Sequence, residues 1–413
     1  MGRGLIGWLG PVWTIALAQL FGTSLWFSAN GVAHDLMAVW QVSPAALGWL
    51  TNAVQLGFIA GTLGISLSGL ADRFPASRIF IVSAIVGAAS NAAFAFLADG
   101  LATAVLCRFI VGVSLAGIYP LGMKLIVSWT PGGTGAALAQ LVAMLTLGTA
   151  LPHLLQAGSG GLPWQAVVGA SSVLAMIGAL LIGWLGDGPF LPQAGRSAGA
   201  SNVHAGAVLG AFRLPAFRAS AFGYFGHMWE LYAFWTMVPL YVMQAGIAAA
   251  VPLGGASGLA FLVIAAGALG SLLGGVLSRR YGSVRVAAAA LALSGLCGLV
   301  FVIGWHSLPP VALLGLMVIW GAAVVADSPH FSAISAQACP PGLVGSALAI
   351  QNALGFAITV VSIAIVTLLF ERWGLDSAWL LLAGPVLGLL GFRPLLRDPG
   401  LRGAGRPAEA PRR

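Results

Sequence analysis

The chain has 413 residues, of which 59% are hydrophobic and 7% charged, with a mean hydropathy of +0.98. Soluble domains carry about 25% charged residues, so this composition excludes an ordinary water-soluble globule and fits lipid as the solvent. The formal charge of +8 does not mark a nucleic-acid surface, because the basic residues fall in short loops between apolar stretches and not along one face.

A membrane-crossing helix needs about 20 mostly apolar residues. In chain order the apolar stretches predict twelve spans, at 11–33, 45–69, 78–98, 101–127, 134–157, 164–185, 219–245, 255–278, 285–305, 310–337, 343–370 and 377–396. The first follows Arg3 and runs past Gly31, too long for a signal-peptide core, and is read as a span. Turn signals separate the others: Gly100, Pro131-Gly132-Gly133, Gly160-Gly161 and Pro340-Pro341-Gly342. Cys107, Cys297 and Cys339 are odd in number, far apart and in or beside apolar segments. They form no disulfide framework or zinc spacing and read as small buried hydrophobes.

Charge sets the expected orientation. With both termini in the cytoplasm, the inner loops hold Arg3, Arg73, Arg78, Arg196, Arg213, Arg218, Arg279, Arg280, Arg285 and the arginines after Gly391; the outer loops hold Arg372. The stretch from Gly186 to Arg218 is rich in Gly, Ala, Ser and Pro and reads as a central linker. The expected division is a six-helix bundle over 1–190, a cytoplasmic linker over 191–218, a second six-helix bundle over 219–396 and a basic tail over 397–413. The two bundles look related. Leu70, Arg73 and Arg78 recur 207 residues later as Leu277, Arg280 and Arg285, and Pro120 and Pro131 recur 209 residues later as Pro329 and Pro340. Such internal repeats mark transporter folds, with the substrate site at the repeat interface.

The loop Leu70-Ala71-Asp72-Arg73 resembles the signature between helices two and three of the major facilitator superfamily, and Arg108-x-x-x-Gly112 resembles that family's helix-four motif. The resemblance spans essentially the whole chain. Ser68 and Pro75 stand where the loop signature has Gly, and span five has Gly148-x-x-x-Pro152 without the Gly-Pro pair of the antiporter motif. The resemblance implies an all-α polytopic membrane fold of twelve transmembrane helices in two pseudo-symmetric bundles. It also implies a central cavity lined by helices one, four, seven and ten, and alternating access by rocking of the halves. It further implies gating roles for Asp72, Arg73, Arg78 and Arg280, with Asp72 engaging the start of span eleven near Gly342 to Gly345.

Ionisable residues inside hydrocarbon are costly and mark pathways or partners. They are Arg108 in span four, His227 and Glu230 in span seven, and Asp327 and His330 in span ten. Each pair is spaced i,i+3, so its members share a helix face. At ~1.5 Å rise per residue, Glu230 lies ~16 Å deep, Arg108 ~10 Å below the outer surface and Asp327 ~25 Å from it. That depth estimate separates the His227–Glu230 pair from the Asp327–His330 pair. Glu230 is the expected proton carrier, with His227 sharing or relaying the proton and Asp327 and His330 as a second site or inner gate. Arg108 is an expected ligand for an anionic substrate or for a carboxylate. Asn30, Gln140, Asn352, Tyr224, Trp229 and Phe234 complete the expected substrate contacts. His153 follows Pro152 near the outer end of span five; Asn52 and Gln55 are further polar positions in span two.

The expected function is a secondary active transporter of a small organic solute, coupled to protons, in a bacterial inner membrane, with lipid as its surroundings and a monomeric state. A drug or metabolite efflux antiporter is the alternative; a divalent metal exporter, a membrane-embedded enzyme and a channel are weaker ones. No Gly-x-x-x-x-Gly-Lys run points to a nucleotide-driven pump. No cofactor, resident metal or nucleic-acid partner is expected.

Overall fold

A computed structural model describes residues 2–130, 134–190, 210–340, 343–398 and 401. Among these residues there is no strand, and twelve long helices follow one another: α1 (Gly2–Thr23), α2 (Pro44–Ser68), α3 (Ala76–Leu97), α4 (Leu101–Trp129), α5 (Thr134–Ala157), α6 (Trp164–Leu185), α7 (Pro215–Gln244), α8 (Gly255–Tyr281), α9 (Ser283–Gly304), α10 (Pro310–Ala338), α11 (Val344–Trp373) and α12 (Ala383–Arg397). The fold is the all-α one expected. Nine stretches are long and apolar enough to cross a membrane, one of them covering both α11 and α12, and Leu9–Thr23 is a shorter apolar helix. α7 falls outside that set; it carries His227, Glu230 and three of the chain's five Tyr.

Most span edges agree with hydropathy to a few residues, and three places differ. The first span, expected as one helix over 11–33, stops at Thr23, resumes as Ser28–Gly31 and again as Ala33–Trp40. Side chains compete with the helix there: Thr23 Oγ1 donates to Gln19 O and Ser24 Oγ to Phe21 O. The tenth span breaks at Asp327 into Pro310–Ala326 and Ser328–Ala338. Pro329 has no N–H to continue the ladder, and Asp327 O accepts from both His330 N and Phe331 N. The twelfth begins as a 3-10 stretch, Gly374–Leu382, before α12. Most of the linker (191–209), the turns at 131–133 and 341–342, and nearly all of the basic tail lie outside the described residues.

The bundle holds together through small residues that let backbones approach. A Cβ on Gly112 of α4 would meet Val54 O of α2, and one on Gly61 of α2 would meet Val113 O of α4. In the second half, a Cβ on Gly321 of α10 would meet Val263 O of α8, and one on Gly270 of α8 would meet Ala322 O of α10. Gly112 and Gly61 recur as Gly321 and Gly270, both 209 residues later, the offset of the proline echo. The same helix contact is thus built twice from equivalent positions.

Between the halves, α2 packs on α11 and α5 on α8. The loops carrying Asp72, Arg73 and Arg78, Arg213 and Arg218, and Arg279, Arg280 and Arg285 fall by helix order at one end of the bundle, called here the basic end. At the opposite end α2 and α11 are joined by Asn52 Nδ2 donating to Val360 O at 3.1 Å and Ala45 N donating to Glu371 Oε1 at 3.1 Å. Gly48 of α2 seats Thr367 of α11.

Candidate functional site

A cavity of about 320 Å³ lies between the halves, lined from α4 and α5 on one side and α7, α10 and α11 on the other. Its α7 wall is Tyr224, His227, Met228, Leu231, Tyr232 and Trp235, an i, i+3, i+4, i+7, i+8, i+11 stripe that occupies one helix face. Its α4, α5, α10 and α11 residues come from the basic-end halves of those helices.

An aromatic layer closes the cavity away from the basic end. Trp26 of the broken α1 region stacks on Tyr232 at 5.5 Å and Phe356 at 5.9 Å, and Phe58 lies 4.4 Å from Phe356. Phe27 sits edge-on to Trp235 at 6.0 Å. Trp26, Phe27 and Phe58 come from the first half, and Tyr232, Trp235 and Phe356 from the second. The break in α1 is what turns Trp26 and Phe27 toward the other half.

His227 and Asp327 meet here, with His227 Nδ1 2.8 Å from Asp327 Oδ1 and both side chains 1% exposed. Depth along each helix had separated these two residues, and that expectation is corrected. Residue counting fixes height only roughly and says nothing about azimuth, while the break at Asp327 turns its side chain toward α7. His227 lines the cavity, and its Nε2 has no hydrogen-bond partner in the protein.

Glu230 makes no hydrogen bond to His227. It is 0% exposed and turned into the second half, where Oε2 accepts from Ser294 Oγ of α9 at 2.8 Å and Oε1 from Trp320 Nε1 of α10 at 2.7 Å. It is absent from the cavity wall. An i,i+3 step turns the helix by about 300°, enough to send one side chain to the cavity and the next between α9 and α10. His330 also leaves the cavity and packs its Nε2 by Gly274 of α8.

Arg108 is likewise absent from the cavity wall. It is 0% exposed inside the first half, where Nη1 donates to Ser28 Oγ at 2.8 Å and Asn91 Oδ1 at 2.9 Å and Nη2 to Trp26 O. Phe94 lies beneath the guanidinium, 5.7 Å away. Among the described residues no carboxylate pairs with it. The expectation of direct anion binding or of a carboxylate partner is corrected: the arginine clamps the α1 break to α3.

The remaining expected contacts divide. Tyr224 and Asn352 line the cavity. Asn30 is bonded to Thr51, Nδ2 donating to Oγ1 at 3.0 Å. Trp229 faces the other way, Nε1 donating to Leu380 O at 2.8 Å, and Phe234 stacks on Trp320 at 4.3 Å inside the second half. Gln140 of α5 has a buried, unpartnered Nε2 but is not on the wall. His153 is fully buried with neither nitrogen bonded. At the basic end Asp72 has an 84% exposed side chain, 3.5 Å from Lys124 Nζ, which also donates to Ala71 O. Its partner is therefore on α4; Gly342, at the expected α11 contact, lies outside the described residues. Arg73, Arg78 and Arg280 are exposed, and Arg280 lies over the Tyr281 ring. Among the described residues no group of three His, Cys, Asp or Glu side chains gathers to hold a metal.

Ser28, Asn91, Ser294 and Trp320 were not singled out for these roles by the sequence reading. Asn91 and Ser294 are polar positions in apolar helices, which was the available signal.

The sequence matches the family model described as Major Facilitator Superfamily over residues 12–270. It is 32% identical over 121 residues to the niacin transporter NiaP of Acinetobacter baylyi; the match spans 29% of this chain and 27% of that relative. In three dimensions the chain is similar to the nucleoside transporter NupG (D323A mutant), with a TM-score of 0.69, 16% identity and coverage of 94% of this chain and 99% of that one. It is also similar to the proton:xylose symporter XylE, with a TM-score of 0.67, 16% identity and coverage of 94% and 96%. At these identities the two structures speak to fold alone.

Proposed function

The chain belongs to the major facilitator superfamily, a family of membrane transporters rather than enzymes, and from that premise we propose that it moves a small organic solute by proton-coupled alternating access. The observation that carries the reading is the cavity between the halves, reached by the His227–Asp327 pair and closed at one end by aromatic rings from both halves. A bistable closure of this kind is what alternating access requires. The basic end is assigned to the cytoplasm of a bacterial inner membrane on the positive-inside rule, so the cavity faces inward here.

Coupling is assigned to the His227–Asp327 pair in place of Glu230. His227 lines the cavity and meets Asp327, whereas Glu230 is held by Ser294 and Trp320 away from the path. The test is uptake into proteoliposomes under an imposed proton gradient, with solute exchange measured alongside. Asp327→Asn should lower gradient-driven accumulation at least about tenfold while exchange continues, and Glu230→Gln should leave the gradient response in place. Gradient-driven uptake that persists in Asp327→Asn and vanishes in Glu230→Gln would reverse the assignment.

A further inference from the structure

Two buried polar atoms face the cavity without a partner in the protein, His227 Nε2 and Trp235 Nε1, and both side chains are about fully buried. Leaving such groups unsatisfied is costly, and a native site that does so has a ligand or water to meet them. His227 Nδ1 lies 2.8 Å from Asp327 Oδ1, so the first of these groups has Nε2 left for a solute. The other is an indole N–H, a donor only. The two residues are eight apart on one face of α7, so their Cα atoms are ~12 Å apart along the axis. Between them the same face presents Met228, Leu231 and Tyr232, with Phe356 opposite.

Resting on the reading of this cavity as the transport site, we infer that the solute is a flat, apolar-bodied, two-ended molecule about 10–12 Å long. It carries a hydrogen-bond acceptor at the end that meets Trp235 and a polar hydrogen-bonding group at the end that meets His227, with its body against Leu231, Tyr232 and Phe356. Small anions have no cationic ligand on the wall, since Arg108 is spent on Ser28, Asn91 and Trp26.

The probe is 4,4′-dihydroxybiphenyl, whose hydroxyls both donate and accept at the required separation, compared with 4-phenylphenol and biphenyl by calorimetric titration of the purified protein against a detergent blank. The expected result is that each hydroxyl tightens binding about tenfold and that Trp235→Phe, which keeps the ring and removes the N–H, abolishes the advantage of the second hydroxyl. Equal affinity of the diol and biphenyl for the wild-type protein overturns the inference, as does an unchanged diol advantage in Trp235→Phe. The wild-type ladder of ligands keeps the test decisive even where the variant fails to fold. Counterflow of the diol in proteoliposomes separates the two readings: the binding pattern without counterflow sinks the transport assignment, and counterflow without the pattern sinks this one.

Discussion

Each half gathers a polar hub about a buried ionisable side chain, basic in one and acidic in the other. In the first half Arg108 on α4 binds Ser28 after α1 and Asn91 on α3. In the second Glu230 on α7 binds Ser294 on α9 and Trp320 on α10. Helices α1, α3 and α4 correspond to α7, α9 and α10 under the repeat. The backbone contact between α2 and α4, and between α8 and α10, is conserved between the halves through glycines, while the polar hub is not. At the repeat offset of 209, Arg108 falls on Met317, which is buried and apolar. The lesson is that the fold repeats as a packing of backbones, and that each half ties its three inner helices with whichever buried ionisable side chain its sequence supplies. Both hubs use neutral partners, so neither is an ion pair, and their hydrogen bonds offset the cost of burying a polar side chain.

That comparison can be broken in graded steps. The largest effect is expected from Arg108→Met, which copies the second-half residue into the first and leaves Ser28, Asn91 and Trp26 O without their donor. It should cost about 3 kcal/mol or more in detergent unfolding; a loss under about 1 kcal/mol would mean that the arginine is held for function alone. Gly112→Ala and Gly321→Ala come next, each driving a Cβ into a facing carbonyl, at about 2 kcal/mol. Equal costs support equivalence, and a several-fold difference measured side by side removes it. Asn91→Ala should cost about 2 kcal/mol because Asn91 bonds Arg108, Ser28, Val168 and Ser172, whereas Ser294→Ala should cost about 1 kcal/mol because Ser294 gives Glu230 one bond. The reverse order in thermal melts would show that the second hub is the stiffer.

Much of this architecture is written locally in the sequence. A membrane span is a property of some 20 consecutive residues, so α5 and α6 were found at their observed bounds, 134–157 and 164–185, from hydropathy alone. The repeat was visible in two prolines, and Gly61 and Gly112 would have strengthened it. The site was less legible because it depends on azimuth. His227 and Asp327 are a hundred residues apart, and nothing local says that they touch. His227 and Glu230 are three apart and part company. Arg108 was found as a buried ion, but its neutral partners carry no charge pattern for a reader to match, and the break after Thr23 that brings Ser28 and Trp26 to it is a small run of hydroxyl residues inside an apolar stretch.

On the alternating-access reading proposed above, the ring stack that joins Trp26, Phe58, Tyr232 and Phe356 sets the posture in which the carrier rests. Turning the cavity to the other face means pulling these rings apart and wetting them, and aromatic pairs of this kind are each worth about 0.5–1.5 kcal/mol beyond the area they bury. An unloaded carrier has nothing to offset that loss, so it waits facing the basic end. A flat solute lodged between the halves lends its own faces to the separated rings, and its arrival is then what makes the turn permissible. Leak in the absence of cargo is suppressed by the same rings that recognise the cargo.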